Sequence, residues 1–554
     1  MKQTPFSQEK RSMSNDLTPP ILDLFGDPNE NFYQLGIRDR GQYLPTLNHL
    51  KSLFQTGQAV IDLSIRSGLN LFSQYSIKKM PQDYQYWIEA YCEGLAINPQ
   101  QYIGTLLLPE FMSSLAKFVP QIPKNFLGCS SLFYFDEQAQ HTYHGRILDF
   151  PLLSSFDRGE QLLRFQFTDQ EKVLSHSSAG LPLAGLTAMN ASGMTIAVHQ
   201  KFNTSFHHDG TPIFVIIDYL IRHCKTKNEM KNELKKFKSM TKWCVLASFP
   251  GGEILIIDKD GDDYQEIDKT LSPGEFFYHN NVPMKKENIF LPIGMTHYCL
   301  KRTQMVEEKL SLLNQRKKNR SLTSLDLLMI LAKPLESTQC ILDCTTPSSL
   351  TIGVANALNG EYHYIPTPAP KVMLHESTKL KGIWSKEKVQ IHQEKNKPSS
   401  YDLHYHKSMK HFMLAQVAFD QKNKNDCLHH IQMAENLLLK NNQYSLCRLY
   451  NLTFQYLFTK RKEQKEILLL EFIQLHKAIS DPWCDHVILF IMRLEKILDK
   501  SVTVSAEQIK MPYLKKVFLF EYQLRPMILN LLKKMIIPRI DIADIIYLYY
   551  KEDS

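Results

Sequence analysis

The chain has 554 residues, 43% hydrophobic and 22% charged, with a formal net charge of +8, a composition that fits roughly two to four globular units with a sizeable buried core. The small positive excess is scattered, with no basic stripe or nucleic-acid motif, which excludes a nucleic-acid partner. Glycine and proline are too sparse for a low-complexity chain, and no uncharged apolar stretch reaches the roughly 18 residues a membrane span needs. Residues 1–20 are polar and are expected to form a mobile terminus. Met1 to Gln8 lead into no apolar secretory core, so a cytoplasmic location is expected. Residues 21–128 read as mainly helical, with turns at Gly26-Asp27-Pro28 and Pro120.

The most informative stretch follows. Cys129-Ser130-Ser131-Leu132-Phe133-Tyr134-Phe135 is rich in strand formers, residues 136–140 are polar and turn-like, and residues 141–150 resume with aromatic and aliphatic side chains. The pattern predicts a hairpin with its tip near Gln138, which sets Cys129 opposite about residue 147 and brings Arg146 and Asp149 within reach. Arg146 and Asp149 would face opposite sides of a regular strand, so a bulge or strand end is expected between them. A Gly128-Cys129 junction at the head of a strand, with arginine and aspartate on the returning strand, is the pattern expected of a hydrolase whose cysteine supplies both the nucleophilic thiol and, as a free chain start, the base.

Farther on, strand-like runs at 242–248 and 252–258 alternate with helical ones at 213–225 and 324–332, and Asp258-Lys259-Asp260-Gly261 reads as a hairpin turn whose acids are turn formers rather than calcium ligands. The ten cysteines form no disulfide framework. Cys340 and Cys344 would lie about 13 Å apart in a strand, beyond disulfide reach. The histidine pairs at 207–208 and 429–430 lack metal-motif spacing, so neither metal nor cofactor is expected. Pro366-Thr367-Pro368-Ala369-Pro370 marks a boundary, and a lysine-rich linker is expected over 371–400. Beyond it, Leu/Ile-rich segments at 405–420, 427–440, 445–459 and 465–479 suggest paired helices of a helical-repeat kind. Leu428, Ile431, Glu435 and Leu438 share one face of such a helix. The lysine-bearing apolar helices near 514–518 and 531–537 would suit a packed terminal helix or a membrane surface.

The Gly-Cys-Ser junction and His144-Gly145-Arg146-Ile147-Leu148-Asp149 resemble the N-terminal-nucleophile hydrolases that act on linear amides, such as bile-salt hydrolases, penicillin V acylase, acid ceramidase and the acyltransferase that makes penicillins. Further matches follow in order: Met189-Asn190-Ala191-Ser192-Gly193-Met194, Thr211-Pro212-Ile213 leading to Asp218, His279-Asn280-Asn281-Val282-Pro283, and Arg302. Leu24 to Glu30 resemble the opening of the acyltransferase-type propeptide. The resemblance implies a four-layer αββα sandwich over 129–370 and a helical propeptide over 21–128 that stays associated after cleavage; the Leu/Ile-rich pattern beyond it gives an appended all-α domain over 401–554.

It also implies self-cleavage between Gly128 and Cys129, Cys129 as nucleophile, Arg146 as its cationic neighbour and Asp149 as orienter of the new ammonium. Asn281 would be an oxyanion donor and Arg302 part of the polar wall. Two positions depart from the family: Ile147 replaces an asparagine, and His199-Gln200 stand where relatives carry an oxyanion- or substrate-binding asparagine. Asn190, His199 and Gln200 are therefore the further oxyanion or substrate candidates. The function implied is an amidohydrolase or acyltransferase working through a Cys129 thioester on a small amide or acyl thioester. The rival reading is a non-catalytic interaction protein on a retained scaffold, with residues 401–554 meeting a protein partner or a membrane surface.

Overall fold

The computed structural model describes residues 20–53, 59–107, 110–111, 128–136, 140–149, 159–201, 205–282 and 284, a subset of 303–331, 349–356, 361–365, 373–379 and 386–392, a subset of 411–419, and 423–437, 444–479, 483–510 and 512–533. Arg302, Cys340, Cys344 and the proline-rich 366–370 lie outside these residues.

Period-two segments build two sheets. The first contains β1 (Ile21–Phe25), β4 (Glu160–Gln166), β5 (Val173–Ser178), β6 (Thr187–Asn190), β7 (Thr195–Gln200), β8 (Trp243–Ser248), β9 (Glu253–Asp260) and β10 (Asp263–Thr270), in that spatial order. The second runs β11 (Phe276–Asn280), β2 (Gly128–Asp136), β3 (His141–Asp149), β12 (Ser349–Asn356), β13 (Glu361–Ile365), β14 (Met373–Lys379) and β15 (Lys386–His392). All pairings are antiparallel except β1 with β4, which is parallel.

The sheets meet face to face. Phe133 and Phe135 of β2 pack on Leu246 of β8 and on Ile254 and Ile256 of β9. A polar clasp ties the sheets at another point: His176 on β5 bonds Glu160 on β4 at 2.8 Å and the Tyr362 hydroxyl on β13 at 2.9 Å. Helices cover both outer faces. Leu132, Tyr134, Tyr143 and Ile147 of the second sheet pack against Val306, Leu310, Leu327 and Leu331. Over the first sheet lie α1 (Pro28–Leu53), α2 (Ala59–Lys79), α3 (Gln82–Leu95), α4 (Pro99–Leu106) and α5 (Ile213–His223), which share one core with Val198, Val245 and Leu255. The sequence of α5, Ile-Phe-Val-Ile-Ile-Asp-Tyr-Leu-Ile-Arg-His, is apolar on nearly every side because it is enclosed between sheet and helices. Its Asp218 is fully buried and satisfied by Arg222, the Tyr84 hydroxyl and the Ala184 amide.

Helices α1 and α3 cross at Gly36 and Gly94, where a Cβ on either residue would collide with the other helix's backbone at Tyr91 O or Tyr33 O. Two features differ from the sequence expectation. The stretch from 21, read as helical, starts with an edge strand whose Leu22 and Leu24 are buried. The stretch 371–400, read as linker, carries β14 and β15; its lysine content hid the alternation in Lys-Glu-Lys-Val-Gln-Ile-His.

Past the second sheet, α6 (Lys227–Lys235) having closed the earlier helices, come α7 (Lys424–Leu437), α8 (Tyr444–Phe458), α9 (Lys462–Ala478), α10 (Cys484–Ile497), α11 (Pro512–Gln523) and α12 (Pro526–Leu532). The first five of these, α7 to α11, share a core that includes Ile431, Leu452, Phe472, Phe490 and Phe518. Glu435, the polar member of the α7 face, is buried against Arg448 and Asn451. Among the described residues no helix is long and apolar enough to cross a membrane.

Candidate active site

Cys129 is the second residue of β2 and pairs in register with Leu148, not with residue 147. Arg146, two residues earlier on β3, therefore shares its face at the diagonal position, which a long side chain spans. The β2–β3 ladder runs unbroken from Gly128–Asp149 to Asp136–His141. The bulge or strand end expected between Arg146 and Asp149 is absent from β3: the extra residue of the register shift between Leu350 and Ile352 belongs to β12. Asp149 pairs with Gly128, beside the candidate scissile bond; its side chain, like Arg302, lies outside what is described.

Both ends of Cys129 are held. Arg146 Nη2 lies 3.5 Å from its Sγ and donates to Val198 O at 2.6 Å, while the thiol lies 3.8 Å from the same carbonyl. The Cys129 nitrogen donates to Asn281 Oδ1 at 2.6 Å. Register explains this contact: β11 pairs with β2 through His279–Ser131 and Asn280–Ser130, so the next residue, Asn281, arrives level with Cys129. The Asn281 amide nitrogen donates to Gln200 O at 2.9 Å. The oxygen of Asn281 thus faces the Cys129 nitrogen, and one of its two amide N–H bonds goes to Gln200 O.

Behind the cysteine, a polar seam crosses the apolar interior. Ser248 Oγ meets Thr195 Oγ1 (2.6 Å), Thr195 meets His144 Nδ1 (2.8 Å), His144 Nε2 meets Ser131 Oγ (3.0 Å), and Ser131 meets His199 Nε2 (3.1 Å). A serine hydroxyl has one proton, so Ser131 donates to one imidazole and accepts from the other. Burial pushes His144 down to about 3, with Arg146 adding to the shift, and pushes His199 well below the usual histidine range for the same reasons. Both rings are thus neutral at physiological pH.

Of the three further oxyanion or substrate candidates, His199 and Gln200 stand near Cys129 and Asn190 does not. His199 belongs to the seam. Gln200 offers its backbone carbonyl to Asn281. Asn190 is at a distant turn, accepting from the Met194 amide and donating to the Ile221 and Cys224 carbonyls, so it pins the β6–β7 turn to the end of α5. Asp258, read as a turn former, is instead a buried β9 residue 3.6 Å from Lys201 Nζ; the turn itself is formed by Gly261 and Asp262, between the paired Asp260 and Asp263.

Three side chains of metal-ligating type also converge, with donor atoms of Cys244, Asp258 and His279 within 4.8 Å of one another. Cys244 is pushed well up by burial, and His279 well down by burial and then by Lys201. The sequence reading passed over Ser131, His144 and Lys201. A polar residue at alternate positions of an otherwise apolar strand, as in Cys129-x-Ser131-x-Phe133, was the available signal for the first.

No family model and no curated protein matches the chain. Among solved structures it is similar to penicillin V acylase from Agrobacterium tumefaciens, at 11% identity over 49% of this chain and 98% of that one, with a TM-score of 0.32. It is similar to a Caenorhabditis elegans ortholog of N-acylethanolamine-hydrolyzing acid amidase, at 12% identity over 42% and 93% of the two chains, with a TM-score of 0.31. A variant of conjugated bile acid hydrolase from Clostridium perfringens aligns at 11% identity over 49% and 100%, with a TM-score of 0.32.

Proposed function

We propose that the chain is a self-processing cysteine amidohydrolase that cleaves a linear, non-peptide amide through a Cys129 thioester. The observation that carries the reading is the double hold on one residue: a guanidinium at the thiol and an amide oxygen at the nitrogen, both buried. In the first step Sγ attacks the Gly128 carbonyl carbon, the peptide C–N bond breaks and the thiol proton passes to the departing nitrogen. Water then hydrolyses the thioester, leaving a Gly128 carboxylate, a free thiol and a free α-amine. A peptide nitrogen is no base, whereas an α-amine has a reference pKa of about 7.7 to 8.0 and works near neutrality.

In turnover the amine takes the thiol proton as sulfur attacks the substrate carbonyl, and returns it to the leaving amine as the C–N bond breaks. Water resolves the acyl-enzyme; an amine acceptor in its place would give acyl transfer. Arg146 attracts the developing thiolate and stays anchored on Val198 O. Asn281 Oδ1 accepts a hydrogen bond from the new amine and so fixes its orientation, while Asp149, paired with Gly128, is assigned to the ammonium form. Metal is assigned no part in these steps.

Intact-mass spectrometry under reducing, denaturing conditions tests the reading. Fragments 1–128 and 129–554 are expected from the wild-type chain, and a single uncut chain from Cys129→Ala. A wild-type chain that stays whole over days would overturn it and leave the interaction-protein reading standing.

A further inference from the structure

Lys201, just past the end of β7, is 2% exposed. Its ammonium has three protons and three acceptors in reach: Val282 O at 2.7 Å, His279 Nε2 at 2.8 Å and Asn280 O at 3.2 Å. Two of these are the backbone carbonyls on either side of Asn281, the residue whose oxygen holds the Cys129 nitrogen. The third lies one residue further back on the same segment. Asp258 balances the charge from 3.6 Å without a hydrogen bond to the ammonium.

Cys244, Asp258 and His279 could in principle surround a metal ion, but the Lys201 ammonium already sits against His279 Nε2 and beside Asp258. A divalent ion there would have to share His279 with that ammonium, or expel a cation whose three donors are all satisfied. The ammonium is the cation this cluster is built around.

We propose that Lys201 is a positioning residue for the nucleophile: an internal cation that clamps the turn 280–282 from both sides, so that Asn281 is aimed at the Cys129 nitrogen. This rests on the self-processing reading above. Its mechanical logic is that Asn281 lies beyond the last paired residue of β11; the Asn281 amide holds Gln200 O and the Asn280 side chain holds the Val282 amide, and the lysine adds a grip on the two flanking carbonyls. Small displacements are costly in such sites, a shift of about 1 Å being worth roughly 100-fold in rate.

The test compares the half-time of cleavage, by intact mass, for wild type, Lys201→Met, Asn281→Ala and the double variant, with a thermal midpoint for each. Lys201→Met keeps an unbranched stem of nearly the same length and removes every donor; it is expected to slow cleavage by about 10- to 100-fold. The double variant should be no slower than Asn281→Ala alone, because a residue acting through Asn281 has nothing left to act on once that side chain is gone. A residue of merely structural importance would slow both backgrounds alike.

Cleavage of Lys201→Met at the wild-type rate, or equal slowing in both backgrounds, would overturn the proposal while leaving the self-processing reading intact. An uncut wild type would overturn both. Should Lys201→Met fail to fold, Lys201→Gln keeps a polar end but is a bond shorter than lysine and cannot hold both carbonyls, and a wild-type rate there would count against the clamp equally. Stoichiometric zinc in purified wild type would overturn the assignment of the ammonium as the resident cation.

Discussion

Replacing Arg146 by methionine removes the guanidinium that lies at the thiol and keeps the unbranched apolar stem. At 3.5 Å, opposite unit charges attract by about 5 kcal/mol at an effective dielectric near 20 and by about 1 kcal/mol in water. The two residues are 3% and 0% exposed, so the buried figure is the better guide, reduced because the guanidinium spreads its charge over three nitrogens. The cost of desolvating sulfur is common to both variants and drops out of the comparison. A loss of about 3 kcal/mol in the thiolate-like transition state corresponds to a roughly 100-fold slower reaction. The assay is the cleavage time course by intact mass, followed on matured protein by the rate of Cys129 alkylation with iodoacetamide.

Two controls separate charge from packing. Arg146→Lys keeps the charge but cannot reach sulfur and Val198 O with a planar fork, so an intermediate rate is expected. Arg146→Met also strips Val198 O of its donor, which costs about 1 to 3 kcal/mol of stability, and the thermal midpoint reports that separately. Because the pair is buried, the effect should persist in high salt, where a surface attraction would fade. An Arg146→Met protein that matures within about threefold of wild type would refute the electrostatic argument.

Other perturbations have equally definite outcomes. Tyr362→Phe removes one partner of the buried His176 and unfastens the clasp between the sheets; a loss of about 1 to 3 kcal/mol is expected in urea unfolding. Gly36→Ala should force α1 and α3 apart where their backbones touch, lowering stability by about 1 to 3 kcal/mol, whereas Gly41→Ala on the same helix, with open space around it, should raise stability by about 0.5 to 1 kcal/mol. Glu110 is fully buried, and burial pushes its carboxyl up to about 8; the Trp243 indole and the Ile213 amide approach it without a well-formed hydrogen bond. The folded state therefore holds a proton that the unfolded chain has released, so stability falls as pH rises from about 4.5 to about 8 and levels off above. Thermal midpoints of Glu110→Gln across this range should lack that slope; an identical slope would remove Glu110 as its source.

The central hairpin was legible because its signal is local. Strand formers, a polar tip and a second aromatic run lie within some twenty residues, and register follows from where the tip falls. The error of one position at Cys129 came from the tip itself: Gln140 takes a positive φ of 53°, and residues 137–140 separate the paired Asp136 and His141. Asn281 was picked out by its turn residues, yet the direction of its amide depends on Gln200, far away in sequence. Lys201 left no mark in the sequence, since two of its acceptors are backbone carbonyls and carry no residue identity. β1 is five residues long beside a polar terminus, too short for its alternation to stand out. Asp258 looked like part of a turn because an acid-lysine-acid-glycine run resembles one, whereas the pleat sends it inward opposite Cys244.

The parallel edge strand β1 has a consequence for reversibility. Its partner β4 lies on the far side of the candidate scission point, and Tyr84 and Tyr91 of α3 bond to Asp218 and to the Gly180 amide across the same divide. Once cut, the molecule would be a heterodimer woven from two chains that share a single hydrophobic interior, and its refolding would become second order in concentration. Melting of the matured form should then shift with dilution, while uncut Cys129→Ala should melt at one temperature however dilute it is.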